Sequence, residues 1–278
     1  MIRQQYRLEE KIADSLYGSV RVCSDTHANN ELVAIKQVSL ELARSVLDIH
    51  PDVDNPWHEQ RTVTNLLALP LHPNVLRFRS EFLHNESWFV VMDYCNGGDL
   101  WQKVKSAPDS RLQEGEALQV FRDVVRGVQF LHSHGIAHRD LALENVLLHD
   151  GVYKIADFGL STDTERMCSE VVGRAYYMAP EVAARETYAP IAADMWSLGI
   201  LLFIMLTGSP LVQKATEHEP AFTLFSRLGV HKVLQAWTMT PFVSDAACNL
   251  MAALLQRDPA KRLSTTEVLT HPCLQQLQ

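Results

Sequence analysis

The sequence predicts an α+β protein of two unequal lobes: a small β-rich N-terminal lobe with one key helix, and a larger, mainly α-helical C-terminal lobe. Three observations point there. Short apolar runs of β-branched residues occupy the first third of the chain. A glycine turn, CNGGD (95–99), follows them, and from Leu112 onward the apolar positions mostly keep helical spacing. The length of 278 residues is ample for both lobes and a sizeable core. The lobes divide at about 1–94 and about 99–278, with a hinge at about 93–98.

Taken in order, LVAIKQV (32–38) reads as a strand bounded by the turn-like THANNE, and SWFVVMDY (87–94) as another. Between them Asn55 is a good N-cap and Pro56 suits the first helical position. Val63, Leu66 and Leu67 then share one helical face. EALQVFRDVVRGVQFLHSHG (116–135) reads as a helix stopped by Gly135. LGILLFIML (198–206) is too short to span a bilayer and reads as a buried helix.

Hydrophobic residues make up 47% and charged residues 21%, ordinary for a soluble globular protein. The formal charge of -8 disfavours binding to nucleic-acid polymers and suits basic partners. Five cysteines without a C-x-x-C pair read as reduced thiols with no metal cluster. MIRQQYRLEE lacks the apolar core of a signal peptide. The expectation is a cytoplasmic protein, with the nucleus as a second location.

The chemistry concentrates in HRDLALEN (138–145), followed by VLL, a turn at His149-Asp150-Gly151, VYKIA and DFG (157–159). Asp140 and Asp157 thus flank a short hairpin, with Asn145 on its first side. Asp157 and Asn145 are hard oxygen ligands suited to magnesium. Phosphoryl transfer needs a metal on the phosphates, a carboxylate to orient a hydroxyl, and a cation on the nucleotide. Lys36 of VAIK can supply that cation, held by Glu59. Glu41 is the rival acid, because the stretch from Glu41 to Pro56 is long for this connection.

VAIK, HPNVL (72–76), MDYCNGGDL (92–100), HRDLALEN, DFG, YMAPE (177–181), DMWSLG (194–199) and DPAKRL (258–263) follow one another in a specific order and spacing. On these stretches the chain resembles a eukaryotic protein kinase catalytic domain over essentially its whole length. The general look is that of the calcium/calmodulin-dependent kinase-like serine/threonine group. The resemblance implies the bilobal protein-kinase fold and an ATP-dependent enzyme that moves the γ-phosphate to a protein serine or threonine, with ATP and Mg2+ as cofactors; a monomer is the expected state. It implies that Lys36 grips the α- and β-phosphates and pairs with Glu59, that Asp140 orients the substrate hydroxyl, and that Asn145 and Asp157 hold magnesium. Met92 is the implied gatekeeper. Asp93 and Cys95 offer hinge backbone to adenine, and Ile12, Val20, Ala34 and Leu147 sandwich the purine. Ala13, Ser15 and Gly18 lie in the phosphate loop, and Asp99 near the ribose. Val63, Phe78, His138 and Phe158 would stack as a regulatory spine, Asp194 would fasten the catalytic loop, and Glu181 would pair with Arg262.

Three departures from the family pattern matter. The phosphate loop keeps only Gly18 of its glycines, with Ala13 and Ser15 in place of the others, which predicts weaker nucleotide binding. Ala142 stands where most serine/threonine kinases carry a lysine that touches the γ-phosphate, while Arg174 stands where a threonine is usual, so Arg174 is expected to replace the missing cation. Glu170 occupies the usual phosphosite, where a carboxylate paired with Arg139 would leave the enzyme on without phosphorylation, with Ser169 as a competing site. Asp99 and Glu144 match acidic positions that meet basic residues ahead of the target hydroxyl, so a serine or threonine in basic sequence is the expected substrate. Two alternatives stand beside this: a pseudokinase acting as a scaffold, favoured by the degraded loop and absent lysine, and a tyrosine or dual-specificity kinase, favoured by HRDLA but opposed by AYYMAPE and DMWSLG.

Overall fold

Residues 2–49 and 55–275 are described by a computed structural model of the chain. Their first part forms β1 (Tyr6–Ser15), β2 (Gly18–Asp25), β3 (Glu31–Ser39), α1 (Leu40–Ile49), α2 (Pro56–Ala68), β4 (Phe78–His84) and β5 (Ser87–Asp93). The strands make one antiparallel sheet in the order β1-β2-β3-β5-β4. Turn chemistry sets its connections. Asn85 and Glu86, both at positive φ, close β4 onto β5 in a two-residue hairpin with His84 opposite Ser87. Asn29 and Asn30 take the same left-handed conformation between β2 and β3.

The first lobe carries a second helix beside the key one. The connection that looked too long contains α1, which starts directly at the end of β3, although residues 50–54 lie outside the described chain. α2 begins as its sequence predicts: the Asn55 side chain accepts from the Trp57 N–H at 3.0 Å and Pro56 opens the helix. Both helices cover one face of the sheet, where Leu40, Ala43, Val63, Trp88 and Val90 share a core.

The second lobe holds α3 (Leu100–Ser106), α4 (Glu114–Ser133), β6 (Ile136–Ala137), β7 (Val146–His149), β8 (Val152–Ile155), β9 (Thr162–Asp163), α5 (Pro180–Ala183), α6 (Pro190–Thr207), α7 (Pro220–Ala236), α8 (Asp245–Leu254), α9 (Thr265–Leu269) and α10 (Pro272–Gln275). α4 stops at His134, and Gly135 follows at φ 76° as the glycine signal requires. α6 is longer than its apolar stretch suggested. Its 18 residues have the length and composition of a membrane span, but 83% of them are buried inside this lobe. It packs against α4 and α8 with every residue from Ala193 to Leu206 buried, so its apolarity serves the core.

Candidate active site

The nucleotide side of the cleft is built on β3. Residues alternate across the sheet, so Ala34 and Lys36 share a face while Val33 and Ile35 enter the opposite core. Lys36 Nζ lies 2.5 Å from Glu59 Oε1, which resolves the choice between acids in favour of Glu59. A cavity of about 200 Å³ beside this pair is lined by Asp14, Ser15, Tyr17, Lys36, Glu59 and Asp157. The Ser15 hydroxyl is buried and lacks a hydrogen-bond partner among the described residues.

The phosphate hairpin differs from the expectation in what its glycine does. β1 and β2 stay paired to Ser15 and Gly18, with Leu16 and Tyr17 at the turn. A Cβ at Gly18 would lie 2.0 Å from the Gln37 carbonyl oxygen, so the sheet itself demands glycine there. Tyr17 packs into the core with Val38 and Val63, and its carbonyl accepts from the Ser39 N–H at 2.8 Å. The loop is therefore anchored to β3 and α2 by a side chain and not left free by glycines. Ala13 and Val20 pair across the hairpin, and Ile12 sits at the irregularity before them, 46% exposed.

At the hinge, half-buried Met92 lies opposite Ala34 in β3 and Phe78 in β4. Asp93 donates its N–H to Arg77, and its carboxylate accepts from Arg79 Nε at 2.8 Å. Burial pushes the Cys95 thiol up to about 11, so it is protonated at neutral pH. Leu147 bridges to Asp99 from β7. Asp99 caps α3: one oxygen accepts from the Gln102 N–H at 2.7 Å and the other from the Gln102 side chain at 2.9 Å. A ribose or substrate contact at Asp99 must compete with both.

The catalytic loop hangs on Asp194. This buried carboxylate accepts from the N–H groups of His138 and Arg139, both at 2.8 Å, and lies 2.8 Å from His132 Nε2. Burial opposes its charge, but His132 and these donors outweigh it and hold its pKa below the usual value. His138 Nε2 lies 3.0 Å from the Ala156 carbonyl, and its ring packs on Phe158, which meets Phe78 edge-on at 5.8 Å; Val63 joins the Phe78 cluster. The expected spine is thus continuous. Asn145 donates its amide twice to Asp140, to the backbone oxygen and to Oδ2, each at 2.8 Å. Both amide hydrogens being used, the Asn145 side-chain oxygen is the atom left for a cation, and Asp157, whose charge acts on Asp140, would be the second hard oxygen donor. The Asp140 carboxyl is pushed above its usual pKa by burial, against the pull of His138, Arg174 and Asn145, with the nearby Asp157 charge adding to the rise. This donor set fits a magnesium ion.

Arg174 reaches this centre. Its Nε lies 3.9 Å from Asp140 Oδ1 and its Nη1 3.6 Å from Glu144 Oε1. The acids it faces are those of the catalytic loop, not of the surface. Tyr176 shares Glu144, with its hydroxyl 3.5 Å from Oε1. Glu170 meets Arg139 at 3.2 Å, while Arg139 Nε donates to the Leu160 carbonyl at 2.7 Å. Partial burial opposes the Glu170 charge, but backbone N–H donors and the Arg139 and Arg166 charges hold its pKa below the usual carboxylate range. The pair is therefore intact above that range and is lost as pH falls through the lowered value. Glu170→Ala should cut turnover by about tenfold, the equivalent of one charge-assisted hydrogen bond. A phosphatase-treated preparation compared with this variant checks it, and equal rates would remove the role of Glu170.

Some partners escaped sequence reasoning. Arg166 also binds Glu170, a pairing visible only as i, i+4 spacing. His132 on Asp194 and Tyr177, whose hydroxyl accepts from the Leu143 N–H at 3.1 Å, had no signal in the sequence. Both contacts join residues far apart in the chain.

Comparison with known proteins agrees with this geometry. A family model described as protein kinase domain matches residues 6–274. The chain is 33% identical over 281 residues to calcium-dependent protein kinase 12 of Oryza sativa subsp. japonica, covering 99% of this chain and 50% of that protein. It is 33% identical to calcium-dependent protein kinase 10 of Arabidopsis thaliana, covering 99% and 48%, and 34% identical to calcium-dependent protein kinase 20 of rice, covering 100% and 48%. The chain thus spans about half the length of these relatives. The family match runs from the first strand of the sheet into the last helix, and the chain belongs to the protein kinase domain family.

Proposed function

We propose that this domain is an ATP-dependent serine/threonine protein kinase that works with magnesium. The observation that carries this is a set of three contacts around the cleft: Lys36 on Glu59, Phe158 packed between Phe78 and His138, and Asn145 locked onto Asp140. In this arrangement Lys36 binds the nucleotide phosphates. Asn145 and Asp157 would hold the magnesium ion, which when bound neutralises charge on the phosphates. Asp140 orients the attacking hydroxyl and takes its proton. The bond from the terminal phosphorus to the bridging oxygen breaks, a bond to the serine or threonine oxygen forms, and ADP leaves.

The scaffold reading draws on the phosphate loop, which keeps one glycine. The anchoring of that loop by Tyr17 offsets this, because a packed side chain holds the backbone beside the cavity in place of the missing glycines. For the substrate, we favour a hydroxyl preceded by basic residues. The support is the formal charge of -8 and Glu144, whose Oε2 is buried without a hydrogen-bond partner. A signalling role for a monomer in the cytoplasm belongs to the same proposal.

ATP with magnesium should raise the melting temperature, since a ligand at 100 times its Kd stabilises by about 2.7 kcal/mol. Labelled ATP should phosphorylate an arginine-rich serine peptide, and Asp157→Ala should not. A shift without transfer would leave a nucleotide-binding scaffold. Label on tyrosine alone would turn the assignment to a tyrosine kinase.

A further inference from the structure

We propose that Arg174 is the cation that meets the transferring phosphoryl group, a role that rests on the kinase reading above and assigns Arg174 to the reaction itself. The catalytic loop cannot supply this charge: Ala142, two residues after Asp140, is short and fully buried. The charge comes instead from the segment after Gly173, and the backbone shows how. Gly173 sits at φ 91°, and a Cβ there would lie 2.8 Å from the Arg139 carbonyl oxygen and 3.6 Å from Asp140 Oδ1. Only glycine lets this segment press so closely on the catalytic loop. The next residue is held by its carbonyl, which accepts from the N–H groups of Tyr177 at 2.9 Å and Met178 at 3.1 Å.

The side chain so placed is not satisfied by the acids around it. A closed guanidinium–carboxylate pair has contacts of about 2.8 Å. Here the contacts are 3.9 Å to Asp140 and 3.6 Å to Glu144. Arg174 Nε, Asp140 Oδ1 and Glu144 Oε2 are each buried without a hydrogen-bond partner among the described residues. Arg174 Nε and Asp140 Oδ1, a donor and an acceptor 3.9 Å apart and each without a hydrogen bond, can both take a further polar group. Asp140 orients the hydroxyl there, so the phosphoryl oxygens, which gather negative charge as the bond is exchanged, come within reach of the Arg174 N–H groups.

The test compares Asp157-dependent peptide phosphorylation and melting temperature across variants of the whole chain. Arg174→Met keeps the stem and removes the charge. Its kcat should fall by about 10²-fold, as for loss of one donor to a developing anion, with the KM for ATP unchanged. Arg174→Lys should stay within about tenfold of the parent. The double variant Ala142→Lys/Arg174→Thr, which moves the cation into the catalytic loop, should regain at least about tenfold over Arg174→Met. A kcat for Arg174→Met within about twofold of the parent overturns the proposal while leaving the kinase reading intact. So do losses that track each variant's melting temperature and not its charge. No Asp157-dependent turnover in the parent removes the kinase reading and this proposal together.

Discussion

Asp140→Asn is expected to lower kcat by roughly 10² to 10⁴-fold while leaving nucleotide binding in place. The reason is local. Asp140 is held by Asn145 from one side and faces Arg174 from the other, with Oδ1 free of any hydrogen bond among the described residues. An asparagine keeps the shape and offers an amide, but it cannot accept a proton from the substrate hydroxyl. The pH profile carries the same signature. Burial, together with the Asp157 charge, raises the Asp140 pKa, so the reactive carboxylate is lost on acidification earlier than an ordinary aspartate would be. The acid limb of kcat/KM should therefore lie above the usual aspartate range, and it should vanish in Asp140→Asn. Turnover near the parent level in that variant would show that proton transfer is not where Asp140 acts.

Glu181→Ala should destabilise the domain by about 3–5 kcal/mol, because it strands a buried arginine. Arg262 grips Glu181 with both arms, at 2.6 and 2.7 Å, donates to the Ala192 and Gln256 carbonyls, and lies over the Trp196 ring at 5.2 Å. Both side chains are almost wholly buried, at 1% and 6% exposure. For a domain of this size the loss corresponds to a fall of roughly 6–20 °C in melting temperature. The double variant Glu181→Leu/Arg262→Met should recover part of it, since neither residue then leaves a charge unpaired. Calorimetry on the three variants decides. A double variant less stable than either single would mean that the loss lies in packing and not in charge.

Much of this site was legible before any coordinates. The Asn55 cap, the strand holding Lys36, the Gly135 stop and the buried apolar core of α6 all follow from local rules of capping, alternation and turn chemistry. These rules act within a few residues, so a sequence displays them directly. The extra helix α1 was missed because the reading joined β3 to Pro56 by length alone. That the sheet also demands glycine at 18 was not legible, because the nearest atom to its absent side chain is the Gln37 carbonyl, on another strand.

By itself the sequence determined the two-lobed α+β class, the order of the kinase motifs and the set of candidate residues for the proposed phosphoryl transfer. Only the tertiary structure decided which of them meet: Lys36 with Glu59 and not Glu41, Glu170 with Arg139, and Arg174 between Asp140 and Glu144. The physical reason is that an ion pair depends on distance in space and on burial. Both are set by how the sheet, the helices and the loop after Gly173 pack together, and no spacing along the chain records them.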